Sequence, residues 1–88
     1  MSQVDFISNL IANFEDTIQD AGFVVTEDHV SGKTYARECK DGSTDEFVVN
    51  PMDKTISHEK YNLAGTQLKF QMTTVRSAVD VNTLLRTI

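Results

Sequence analysis

Cys39 is the one thiol of this chain, and His29 and His58 are its two imidazoles. With Glu27 and Asp28 nearby, they are the residues from which a transition-metal site would have to be built. Such sites are recognised by close ligand pairs such as H-x3-H or C-x2-C. No pair here has that spacing, so surface histidines and a structural thiol are expected, and no metal. The run Asp41-Gly42-Ser43-Thr44-Asp45-Glu46 is rich in oxygen ligands. It lacks the alternating acids, the sixth-position glycine and the distant bidentate glutamate of a calcium loop, and fits a polar hairpin turn instead.

Nucleophilic catalysis would need Cys39 activated by His58 or by His29. No nucleophile signature surrounds Cys39, and the neighbouring Glu38 carboxylate disfavours a thiolate. There is no glycine-rich phosphate loop and no G-x-S-x-G elbow. A chain of 88 residues also leaves little room for an enclosed substrate pocket. The expectation is a non-enzymatic protein without a cofactor.

Charge is the other chemical resource. Thirteen acids against eight bases give a net charge of −5. Residues 1–46 hold ten acids and three bases, a balance of −7, and residues 47–88 hold three acids and five bases, a balance of +2. An acidic protein is a poor general nucleic-acid binder, because phosphate contacts need a basic footprint. Lys60, Lys69, Arg76 and Arg86, with Tyr61 and Phe70 among them, are too few for more than weak single-strand binding. The acids instead form a candidate docking set for a basic protein surface: Asp16, Asp20, Glu27, Asp28, Asp41, Asp45 and Glu46. Complementary charge of this kind speeds association and selects the partner.

Several elements must hold these residues. Val4, Ile7, Leu10, Ile11, Phe14 and Ile18 recur at spacings of three and four, the stripe of an amphipathic helix. Ser2 with Asp5 can cap its start, and Gly22 can end it, giving a helix over Gln3 to Ala21. Beyond Gly22 the pattern turns β. Strands are expected at Phe23–Thr26, Lys33–Cys39, Glu46–Asn50 and Thr55–Tyr61, separated by turns at Ser31-Gly32, Asp41-Gly42 and Asn50-Pro51. Residues 62–75 are ambiguous. Leu68, Phe70 and Met72 alternate with polar residues as in a strand, and Leu68, Met72 and Val75 also fit a helix; the β-branched Thr73-Thr74-Val75 favours the strand. Ser77 with Asp80 opens a second helix carrying Val81, Leu84, Leu85 and Ile88.

The order predicts an α+β fold: an N-terminal amphipathic helix, an antiparallel meander of four to five strands, and a short C-terminal helix on the same sheet face. Residues 1–88 are expected to form one compact domain. Ile7, Leu10, Ile11, Phe14, Ile18, Phe47, Val49, Ile56, Phe70, Leu84 and Leu85 should build the core, with Ile88 docking at the end. The other sheet face should be solvated, with Thr34, Ala36, Glu38, Thr55, Ser57 and Glu59 on it and Val24 and Val48 as a small apolar patch.

The first residues have neither the basic start nor the apolar run of a signal peptide, and no stretch is long enough to span a membrane. A cytoplasmic protein is expected, or one of the host cytoplasm if it is viral. In size and charge alone it resembles small acidic α+β proteins that act by covering a partner's surface, phage-encoded inhibitors of host systems among them. The function expected is a protein-binding module, an inhibitor or adaptor. Self-association into a homo-oligomer is the alternative, and weak single-strand binding is third.

Overall fold

The computed structural model describes residues 3–88, with side chains from Phe6 onward. The expected Ser2–Asp5 cap and the Val4 side chain lie outside the described residues. Helix α1 (Gln3–Asp20) is followed by β1 (Val24–His29), β2 (Gly32–Glu38), β3 (Thr44–Asn50), β4 (Thr55–Tyr61), β5 (Gln67–Thr74) and helix α2 (Ala78–Leu85). The strands form one antiparallel meander in the order β1-β2-β3-β4-β5. The fold is α+β, as expected, and the ambiguous segment is a strand.

Local chemistry sets the boundaries. Gly22 ends α1 at φ 102°, with its N–H bonded to Gln19 O and the Phe23 N–H bonded to Ile18 O, a pair of bonds that closes the last turn. The β2–β3 and β4–β5 hairpins share one design. Gly42 at φ 87° follows a turn closed by its N–H on Cys39 O, and Gly65 at φ 86° follows a turn closed by its N–H on Asn62 O. A left-handed residue after such a turn returns the chain into register with its partner strand. At α2 the Asp80 carboxylate reaches back to accept from the Arg76 and Ser77 N–H groups.

Alternation along the strands gives the sheet two unlike faces. Both helices cover one of them. Ile7, Ile11, Phe14 and Ile18 of α1, with Val81 and Leu84 of α2, join Phe23, Tyr35, Phe47, Val49, Ile56 and Val75 in one buried cluster. Phe47 is its hub: Phe14 meets it edge-on at 5.1 Å, Phe23 lies at 5.2 Å, and the His58 ring stacks on it at 4.7 Å. The C-terminal end of α1 is tied to the sheet by polar contacts. Arg37 Nη1 donates to Ala21 O at 2.9 Å while its guanidinium lies 4.5 Å from the centre of the Phe23 ring. The buried Tyr35 hydroxyl donates to Glu15, and burial together with that carboxylate holds the phenol well above its ordinary pKa.

Four core expectations are corrected. Phe70 is exposed rather than buried. Ile88 also stays exposed, and Leu10 and Leu85 are only partly covered. Phe23, Tyr35, Val75 and Val81 were not expected in the core and complete it. On the helix-free face Thr34, expected to be solvated, is nearly buried.

Candidate functional site

The seven acids of the expected docking set do not share a surface. Asp16 and Asp20 are exposed on α1, on the helix side of the molecule. Glu27 and Asp28 are exposed on β1, where successive side chains point to opposite faces. Asp41 is exposed in the β2–β3 turn, where its carboxylate accepts from the Ser43 N–H at 3.0 Å and the Ser43 hydroxyl at 2.5 Å; those bonds hold it below its ordinary pKa.

Asp45 is a correction. It is 7% exposed and faces inward, because β3 begins at Thr44 and alternation sends Asp45 and Glu46 to opposite faces. Its Oδ2 accepts from the Cys39 thiol at 3.2 Å, and its Oδ1 lies 3.3 Å from His58 Nε2. The carboxylate therefore sits between thiol and imidazole. A nucleophile and its base should bond each other directly, and Cys39 and His58 do not. His29 pairs with Glu27 at 3.3 Å on the exposed β1 strand, at the opposite end of β2 from Cys39. The groove of about 250 Å³ between α1 and α2 is lined by Leu10, Asn13, Phe14, Thr17, Val81 and Leu85 among others, with no acid, base or thiol.

The helix-free sheet face has a different character. Cross-strand register sets Val24, Ala36, Glu46, Glu59 and Phe70 in one row and Glu27, Thr34, Val48, Ser57 and Met72 in the next. At its β5 side Leu68, Phe70 and Met72 are 57%, 57% and 60% exposed. Large side chains left open side by side, without a covering element, mark an interaction surface. Beside them stands a carboxylate cluster. Glu46 lies directly opposite Glu59, an arrangement in which like charges repel. Glu59 accepts from the neutral Tyr61 hydroxyl and from Gln67 Nε2 at 3.3 Å. Among the described residues no lysine or arginine nitrogen lies within 4.0 Å of any of these acids.

Burial, then Glu59 and Glu27, push the Glu46 carboxyl above its ordinary pKa. A carboxyl raised in the folded state weakens folding wherever it is ionised. That penalty is complete above the folded pKa and disappears as pH falls below the ordinary carboxylate range. Glu46→Gln is therefore expected to melt at a higher temperature than the parent at pH 7, and the two should converge below about pH 4. Thermal melts followed by circular dichroism at the two pH values check this.

The structure thus joins Glu27 and Glu46 from the expected docking set to Glu59, which lies on this face as expected, to Phe70, which was expected in the core, and to Met72, which had no assigned place. Among the described residues no helix is long and apolar enough to cross a membrane. Comparison of the chain with protein-family models, with curated proteins and with solved structures gives no match.

Proposed function

We propose that this protein is a non-enzymatic binding module, an inhibitor or adaptor, that uses its helix-free sheet face to engage a basic, partly apolar surface of another protein. One observation carries this: exposed Phe70 and Met72 adjoin a cluster of acids, Glu27, Glu46 and Glu59, that among the described residues has no lysine or arginine against it. Aromatic and methionine side chains are favoured at the centres of interfaces, and a partner's arginine or lysine would relieve the repulsion between the acids. The face combines anchor and charge within two adjacent rows. Asp16 and Asp20 stand exposed on α1 and are read as solvating charge.

The test is capture from lysate of the source cell, with partners identified by mass spectrometry. A chain carrying Glu46→Lys and Glu59→Lys is expected to lose the partner that the parent retains. A chain carrying Asp16→Lys and Asp20→Lys is expected to keep it. Loss with the helix variant and retention with the sheet variant would move the site to α1 and reject the proposal.

A further inference from the structure

We propose that the outer edge of β5 pairs with β5 of a second copy, joining two five-stranded sheets into one. This goes beyond the binding of a foreign partner and rests on separate observations.

The two sheet edges are unequal. The β1 edge is six residues long, with a register shift between Val25 and Glu27 and with Glu27 and Asp28 along it. Bulges and charges are the devices that keep an edge strand from pairing. The β5 edge has eight residues, its register is irregular only near Gln67, and its single charge is Lys69. Lys69 to Thr74 is a regular run with large apolar side chains at Phe70 and Met72.

Backbone polarity then fixes which groups are free. The Val75 N–H donates to Lys54 O at 2.7 Å, continuing the Thr55–Thr74 register. In an antiparallel pair alternate residues turn both backbone groups toward the neighbour. Residues 69, 71, 73 and 75 therefore face β4, and Phe70, Met72 and Thr74 present N–H and C=O outward.

A two-fold axis normal to the sheet through Gln71 satisfies these groups. It sets Phe70 opposite Met72 of the second copy, and Met72 opposite its Phe70, as two hydrogen-bonded pairs with four bonds in all. Gln71 faces its own copy, and Lys69 faces Thr73. No like charges oppose one another, and the contact is isologous and closes at two. Charge also rejects the other arrangements. Face-to-face stacking would set Glu27, Glu46 and Glu59 against the same acids, and pairing of β1 edges would oppose Glu27 and Asp28 to themselves. The contact is one strand wide, at the small end of interfaces, below about 1,200 Å² in total. A contact of that size fits a weak, reversible dimer rather than a permanent one. The axis leaves both helix-free faces on the same side, so the apolar and acidic surface becomes continuous across the dimer.

Sedimentation velocity on the purified chain, from about 1 μM to about 1 mM, should show a monomer–dimer equilibrium. Phe70→Lys with Met72→Lys sets like charges opposite each other at both pairs and should weaken the dimer more than about tenfold. Met72→Pro removes only an outward N–H, so it should weaken the dimer while the circular-dichroism spectrum stays that of the parent. In a Cys39→Ser background, Gln71→Cys should form a disulfide-linked dimer on oxidation, because facing non-hydrogen-bonded residues lie about 4.5 Å apart at Cα, within disulfide reach. Lys69→Cys should not. A monomer at every concentration, a dimer indifferent to the double lysine variant, or cross-linking at Lys69→Cys in place of Gln71→Cys would overturn the proposal. Because no foreign partner is present, such a failure would leave the capture experiment to decide the proposed function by itself.

Discussion

Phe47→Ala is expected to remove about 3–5 kcal/mol of folding stability, the cost of a large aromatic truncated where neighbours cannot collapse into the gap. Phe47 is fully buried on the central strand β3. It touches the aromatic rings of α1, of the segment entering β1, and of His58 on β4. Its loss opens a place where helix and sheet are locked together by ring geometry. A domain of this size has only about 5–10 kcal/mol of stability to lose, so the variant should unfold at a much lower urea concentration or be unfolded at room temperature. Urea titration followed by far-ultraviolet circular dichroism measures it. An effect below about 1 kcal/mol would mean that the aromatic cluster is not the hub of the core.

The fold was readable because its signals are local and agree. The three-and-four spacing of Ile7, Ile11, Phe14 and Ile18, the stop at Gly22 and the Asp41-Gly42 turn each act within a few residues. The alternation of Leu68, Phe70 and Met72 likewise announced a strand. It could not say which face the strand would show. That depends on a single register shift. Gln67 lies opposite Tyr61, and had that register continued, Phe70 would lie opposite His58 on the covered face. The shift near Lys60 and Tyr61 sets Phe70 opposite Glu59 instead. A slip of one residue moves every later side chain to the other face. Phe70 thereby changed from expected core to surface, with Met72 beside it, and the candidate site arose where the sequence had implied polar solvation.

Asp45 shows the same limit with charge. Read along the chain, Asp41, Asp45 and Glu46 form one acidic run, and an acidic run reads as surface. Pairing of Arg37, Asp45 and Lys60 across three strands carries Asp45 to the covered face, where Cys39 and His58 bond it. Net charge and its bias toward residues 1–46 were legible. Their division between a helix face, a turn, a buried pair and an open sheet face is decided by tertiary register.

The proposed function requires Phe70 and Met72 to anchor a partner rather than to support the fold. Both stand more than half exposed, so replacing them removes little buried area from the chain itself. Exposed substitutions away from core, cap and turn usually change stability by less than about 0.5 kcal/mol. Central interface anchors behave oppositely, each weakening binding by about 1–2 kcal/mol or more when truncated. Phe70→Ser combined with Met72→Ser should then reduce affinity for the captured protein by about 30-fold to 1,000-fold. The decisive measurement is calorimetric titration of that partner into parent and double variant, with the thermal melt of each chain recorded beside it. The expected result is affinity lost by at least about 30-fold at an unchanged melting temperature. Unchanged affinity would contradict it, and so would a variant that loses affinity only because it has unfolded.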